Sequence, residues 1–429
     1  MSKPVFVISC PYDTYSGYGA RARDIAKAII NTGKYDVKLM PQRWGSTAWG
    51  FCKDNPEWEF LHEHKLEGKL TSKPDIWMQI TIPNEFQPVG KYNIGCTAGI
   101  ESNLCKPEWI EGLNKMNINW VSSNFAKQTF ENTKYEKRNK ESNQVEGHIH
   151  LEKPIEVVFE GANLDVYKNI TSKEIKTINL DEIKESFNYL FVGHWMQGNF
   201  GHDRKNVWKM IKVFYETFKN QKQKPALILK TSIGVSSYMS RDEILDRIKQ
   251  IKETVNSSNL PNVYVLNGEF SDQEMNELYN HPKVKSMVSF TKGEGFGRPL
   301  LEFSLTGKPI IASNWSGHTD FLKSSFSNLI GGELENVHQS SANDWLVKES
   351  KWFKPHDAEM GRSLKDVYKK YKQYIVKSKQ QKNFSKTRFS FEKMQELVDS
   401  ILTANIPEFP KQVELKLPKL DLPKLQKTE

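Results

Sequence analysis

The chain has 429 residues, 38% hydrophobic and 26% charged, with a net charge of +9, which is too long for one ordinary core and about right for two domains. No apolar run approaches the roughly 18 residues of a membrane span, and the opening MSKPVFVISC has no signal-peptide layout. Cys10, Cys52, Cys96 and Cys105 show no close metal spacing and cannot staple a chain this long, so a reducing, cytoplasmic setting is expected.

In chain order, PVFVIS reads as a strand, CPYDTYSGYGA as a loop and RARDIAKAIINTG as a helix, with Ile25, Ala28 and Ile29 at helical spacing and Gly33 as the stop. Strands are predicted at DIWMQI, KYNIGC, INWVSS and IEVVFE, with helices between them. The lysine-rich TKYEKRNKESNQVEGHIHLEK reads as a surface loop. The pattern restarts with strand FNYLFVG and helix DRKNVWKMIKVFYETFKN, whose Val207, Ile211, Phe214 and Phe218 form one stripe. PALILKTS and NVYVLNG are strands, and SDQEMNELY opens with a capping-box pattern from Ser271 to Glu274. KVKSMVSF and KPIIAS are strands that bracket one more helix, and FSFEKMQELVDSIL is an amphipathic helix.

Strands alternating with helices imply α/β architecture with parallel sheets covered on both faces. Two such runs, joined through the polar stretch 166–186, imply two doubly wound, Rossmann-like domains, with ligands at the carboxyl ends of the strands in the cleft between them. The corresponding division is 1–170 for an N-terminal domain, 171–186 for the linker, 187–380 for a C-terminal domain, 381–404 for a terminal crossover helix and 405–429 for a Leu/Pro/Lys tail. Regular prolines forbid helix in that tail, which reads as extended and disordered.

The chemistry concentrates in SFTKGEGFGRPLLEFSLTGKPIIAS. Glu294 lies in a strand-to-helix loop, and Glu302 sits in an apolar helix that Pro299 helps to start. Gly293, Gly295 and Gly297 let the backbone approach a ligand and aim N–H groups at it. A buried carboxylate needs partners. A ribose diol offers two hydroxyl donors, and a salt bridge with an arginine or lysine is the alternative.

The string from Glu294 to Glu302 resembles the E-x7-E signature of retaining glycosyltransferases with the two-domain GT-B fold, family 4 in particular. The flanks GEFSDQEMNELY and GKPIIASNWSGHTDFL are similar to that family's text, as are ESNLCKPEWIEGLNKMNINWVSSNFAKQTFE and IEVVFEGANLDVY in the first half. The resemblance implies that Glu294 contacts the donor sugar, that Glu302 holds the nucleotide ribose, and that the amides of Gly295, Phe296 and Gly297 approach the sugar and diphosphate. It assigns Arg204 and Lys205, in FGHDRKNVW, to the leaving diphosphate, where cations at a helix start stabilise departing phosphate oxygens. The implied catalytic set is therefore Lys205, Arg204 and Glu294. Where many members carry the arginine, directly after the strand's V-G, this chain has His194, and a longer loop precedes Arg204. In SGYGARARDIA, Gly17 and Gly19 would shape the cleft floor near the donor phosphates. A dinucleotide reading fails there for want of an acid about 20 residues on.

The implied reaction is transfer of a sugar from a nucleoside-diphosphate sugar to a glycan, lipid, protein or nucleic-acid base, with the acceptor on the first domain. No metal or other cofactor is expected. A nucleotide-sugar epimerase and a non-catalytic sugar-nucleotide binding protein are the rival readings. The pairs His62/His64 and His148/His150 carry a weak metal-ligand signal, and Trp195, Trp315 and Tyr18 read as packing residues. Residues 361–429 hold 16 Lys/Arg against 8 Asp/Glu and so carry +8 of the +9. That segment is either a solvated face and tail or a contact for nucleic acid or an anionic surface.

Overall fold

The computed structural model describes residues 3–139, 141–343 and 345–409. The first domain runs β1 (Val5–Cys10), α1 (Gly17–Asn31), β2 (Asp36–Pro41), α2 (Phe51–Asp54), α3 (Phe60–Glu63), β3 (Ile76–Ile80), β4 (Tyr92–Cys96), α4 (Pro107–Asn114), β5 (Ile118–Val121), α5 (Asn124–Asn132), β6 (Tyr135–Arg138), β7 (Val145–Ile149) and β8 (Ile155–Val157). Six of these strands form one all-parallel sheet in the order β2-β1-β3-β4-β5-β8. Alternation along β1 sends Phe6, Ile8 and Cys10 into one core and Val7 into a second, on the opposite face.

The second domain repeats the plan with β9 (Asn188–Val192), α6 (Val207–Phe218), β10 (Ala226–Lys230), α7 (Tyr238–Glu253), β11 (Val263–Leu266), α8 (Asp272–Asn280), β12 (Val284–Ser289), α9 (Arg298–Ser304), β13 (Ile310–Ser313), β14 (Asn328–Ile330), β15 (Gly332–Asn336), β16 (Lys351–Pro355) and α10 (Asp357–Lys369). Its parallel sheet has the order β11-β10-β9-β12-β13-β14. The predicted stripe on α6 is buried: Val207, Ile211, Phe214 and Phe218 are each 1% exposed or less. Ser271 and Glu274 form the full capping box that starts α8. Two doubly wound sheets are present, as the alternating pattern requires.

The connections between the domains lie side by side. Glu277 of α8 accepts the N–H groups of Lys176, Thr177 and Ile178 and so pins the outgoing segment. The chain returns through α11 (Tyr371–Arg388) and α12 (Phe391–Asn405). At the break between them, Ala162 donates to the Phe389 carbonyl at 2.9 Å and Phe391 donates to the Ala162 carbonyl at 2.8 Å. A β-carbon at Gly161 would stand 2.6 Å from the Phe391 Cα, so glycine is required there. Beyond this break α12 buries Phe391, Met394, Val398, Ile401 and Leu402 in the first domain's core, against α1. Ile406 and Phe409 also pack on that core; the rest of the expected tail lies outside the described residues.

The lysine-rich stretch is not a plain loop. β6 and β7 pair antiparallel across it, largely exposed. Among the described residues no helix is long and apolar enough to cross a membrane.

Candidate active site

Strand β12 ends at Ser289, and the loop 290–297 carries the first glutamate to the mouth between the two sheets. Gly297, at φ +96°, caps α9 in the left-handed region, which a side chain disfavours. Glu294 is fixed from behind: its N–H donates to Ser316 Oγ at 2.9 Å, and its carbonyl accepts the Gly317 N–H at 2.9 Å. Ser316 holds φ +78° to do this, and Asn206, next to Lys205, holds φ +57°. Two left-handed non-glycine residues flanking one carboxylate mark backbone held against its preference at this spot.

The cations come from the start of α6. Asp203 accepts the Val207 N–H at 2.8 Å and anchors the helix, which presents Arg204 and Lys205 to the loop. Lys205 Nζ donates to both carboxylate oxygens of Glu294, at 2.6 and 2.7 Å. Arg204 donates to the Gly293 carbonyl at 2.7 Å and stands 3.6 Å from Glu294 and 3.5 Å from Glu101. Burial works to raise the Glu294 carboxyl, but Lys205 and Arg204 outweigh it and hold it down at about 2. Burial lowers the Lys205 ammonium, with repulsion from Arg204 acting in the same direction and Glu294 opposing both. Glu294 is therefore ionised at neutral pH.

Folding thus favours ionised Glu294. Its contribution is complete above the ordinary value of 4.5 and is lost as pH falls towards about 2. Melting temperatures of the wild type and Glu294→Gln are therefore expected to differ near neutral pH and to converge on acidification through that window. A gap independent of pH would disprove the pairing.

The second glutamate is 6% exposed on α9. Arg298 Nε donates to its Oε1 at 2.9 Å, the Tyr279 hydroxyl donates to Oε2 at 3.2 Å, and Arg298 also pairs with Asp24 of α1. The salt-bridge alternative is thus realised, although a carboxylate with two bonds retains lone pairs for further donors. Burial pushes the Glu302 carboxyl up, and Arg298, shared with Asp24, acts against that shift.

The first domain closes over this loop. Ser122 and Ser123 donate to the Gly295 carbonyl at 3.0 and 2.6 Å, and the Asn124 N–H donates to Asp320 at 2.8 Å. Contact is backbone to backbone: a β-carbon at Gly293 would lie 2.0 Å from the Glu101 carbonyl oxygen, and one at Gly295 2.7 Å from that of Ala98. Only about 20 Å³ remains open beside Lys205, Glu294 and Gly297. The 680 Å³ groove between α6 and α10 is larger but is lined by none of these groups. The small cleft is the candidate site because the charged side chains converge there.

The structure brings together Lys205, Arg204, Glu294, Gly295 and Gly297. Phe296 is 2% exposed and packs on Phe321, so only its backbone faces the loop. Gly17 has open space where a side chain would stand. Gly19 instead packs against the Thr14 carbonyl, its N–H taken by Ser16 Oγ at 2.9 Å. His194 is exposed and bonds Ser232 at 2.9 Å, while Arg204 reaches the Glu294 carboxylate from the far side of the inserted loop. Sequence reasoning missed Arg298, Asp24, Tyr279, Glu101 and Ser316. Only Arg298 left a signal, its i,i+4 spacing to Glu302. It also missed Arg21, 1% exposed, whose guanidinium nitrogens make no hydrogen bond among the described residues.

No family model and no curated protein matches the chain. Solved structures do. A glycosyltransferase from Rickettsia africae superposes with a TM-score of 0.62 at 13% identity, covering 94% of this chain and 99% of its own. Sucrose-phosphate synthase from Thermosynechococcus elongatus gives 0.60 at 11%, over 94% and 98%. Anabaena HepE in complex with UDP-glucose gives 0.58 at 12%, over 94% and 100%. With two six-stranded parallel sheets facing a cleft and a terminal helix returned to the first, the chain has the GT-B fold that glycosyltransferases use.

Proposed function

We propose that the protein is a retaining glycosyltransferase of the family 4 type, taking a sugar from a nucleoside-diphosphate sugar and passing it to an acceptor held on the first domain. The observation that carries this reading is the Lys205–Glu294–Arg204 cluster, a buried carboxylate with two half-buried cations where the two sheets face each other at the mouth of a glycine-lined loop. HepE, a protein of the same fold, binds UDP-glucose.

Each group has a physical task. Lys205 has one N–H beyond the two given to Glu294, and Arg204 adds a second cation, so negative charge growing on the leaving diphosphate meets two preorganised positive groups. Glu294, kept ionised, accepts hydroxyl donors of the sugar. Glu302 accepts the ribose diol with the lone pairs that Arg298 and Tyr279 leave. Closure of Ser122, Ser123 and Glu101 over the loop excludes water, which favours transfer over hydrolysis. The departing phosphate takes the acceptor proton on the same face, so no protein nucleophile is assigned. The catalytic step uses these protein cations, and added Mg²⁺ is expected not to raise turnover. We place the protein in a reducing cytoplasmic setting, where the buried Cys10, Cys52, Cys96 and Cys105 form no disulfide.

Glu302→Ala tests the donor assignment. It is expected to weaken nucleoside diphosphate binding at least tenfold, about 1.4 kcal/mol, measured by isothermal titration across the common bases. Unchanged affinity in a folded variant would remove Glu302 from the ribose site. An epimerase would convert a nucleotide sugar with no acceptor present, and the proposed transferase does not.

A further inference from the structure

Behind the loop that joins β1 to α1, three side chains with no place in the donor site converge from separate elements. Asp13 comes from the loop itself, Cys52 from α2 and His62 from α3. One donor atom from each lies within 4.8 Å of the others; Asp13 and Cys52 are buried and His62 is half-buried. We propose that Asp13, Cys52 and His62 bind one zinc-type divalent ion that clips the α2–α3 segment onto the loop leading into Gly17.

The donor set suits such an ion. Zinc takes oxygen, nitrogen and sulfur at about 2.0–2.3 Å, so tetrahedral donor atoms stand about 3.5 Å apart. Closing from the observed spread takes about 1 Å, within reach of a rotamer adjustment at half-buried His62. A carboxylate and a thiolate neutralise the two positive charges, and thiolate with imidazole selects against magnesium and calcium. Three protein ligands leave a fourth position for water.

The lone pairs are available. Asp13 Oδ1 accepts the Cys52 N–H at 2.8 Å, which orients the carboxylate and leaves Oδ2 without a hydrogen bond among the described residues. The His62 ring makes none there either, and the Cys52 sulfur lies 3.9 Å from the Tyr12 carbonyl and beside the Asp13 carboxylate, to which its thiol can donate. Arg23, the nearby cation, is committed elsewhere: it donates to the Tyr12 and Thr14 carbonyls and stacks 3.4 Å from the Phe51 ring centre.

Two other uses of the trio fit less well. As a Cys–His–Asp nucleophile it fails on access, because Cys52 is fully buried and burial, with Asp13 beside it, raises the thiol to about 12. Bound metal supplies the missing driving force, since a coordinating thiol is deprotonated outright. As a mere cap for α2, Asp13 needs one oxygen and has no use for His62. His64, by contrast, turns to the Val37 carbonyl at 3.2 Å and is not a ligand.

The test is titration of the full chain, stripped of metal, with cobalt(II) chloride. The expected result is one equivalent bound, with a sulfur-to-cobalt charge-transfer band in the near ultraviolet, visible bands of a four-coordinate ion, and displacement by zinc. Cys52→Ser is expected to abolish the charge-transfer band. His62→Ala, at a half-buried position that leaves the core intact, should weaken binding at least tenfold and still fold by circular dichroism. Absence of a thiolate band in the wild type would overturn the proposal, as would a band that survives in both variants. Neither readout depends on glycosyl transfer, so failure here leaves the proposed reaction untouched.

Discussion

Lys205→Ala is expected to lower the turnover number by about 10²–10³-fold, while affinity for the nucleoside diphosphate falls far less. The asymmetry follows from when the charge appears. In the bound donor the diphosphate charge is shared with the sugar linkage, and it grows on the leaving oxygen only as the glycosidic bond breaks. Lys205 is half-buried and already oriented by two bonds to Glu294, so its reorganisation cost beside a leaving diphosphate would be small. Removing it also leaves Glu294 with only Arg204, at 3.6 Å. Steady-state rates with titration calorimetry separate the two effects. Turnover equal to the wild type would exclude Lys205 from the mechanism. The same measurement on Arg204→Ala tests whether Arg204 does the work of the arginine that the family pattern places at His194.

Ending the chain before Phe391 is expected to unfold the first domain. α12 is distant in sequence from that domain, yet it buries Phe391, Met394, Val398, Ile401 and Leu402 there. At about 1.5–3 kcal/mol for each side chain, the loss is comparable to the entire roughly 5–15 kcal/mol that holds a domain folded. Lys34 of the same domain also pairs with Asp399 at 2.6 Å, an exposed contact of little weight. Near-ultraviolet circular dichroism and thermal denaturation would read the change. A truncated chain that melts like the full one would show that α12 is an appendage.

The alternation of strands and helices, the α6 stripe and the Ser271 capping box were legible because each is a local pattern. β2 was not: DVKLMP is a short edge strand that ends in proline and carries mixed polarity. The β6–β7 hairpin was hidden because both of its faces are largely solvated, so no apolar alternation marks it. α11 lacks a stripe for a different reason. Its buried residues are Ser378, Gln381 and Ser385, and Gln381 is satisfied by the Phe321 carbonyl at 2.7 Å and by the Lys323 N–H at 3.1 Å. A helix that buries hydrogen-bonded polar groups shows no hydrophobic period.

The candidate site divides the same way. Glu294, Glu302, Arg204 and Lys205 stand in short strings and could be read directly. The partners that define their environment come from far along the chain. Asp24 meets Arg298 and Glu101 meets Arg204 only because the two domains close on each other. No spacing in the sequence announces such a pair. The consequence is chemical as well as geometric: Glu302 is bridged to the first domain through Arg298, so the proposed ribose contact and domain closure would act on the same carboxylate.

The most direct test of the proposed donor site is a crystal structure with a nucleoside diphosphate bound. The diphosphate is expected against Lys205, Arg204 and the Gly295–Gly297 amides, with both ribose hydroxyls on Glu302. A nucleotide lying in the groove between α6 and α10, or bound in the cleft with its ribose away from Glu302, would contradict it.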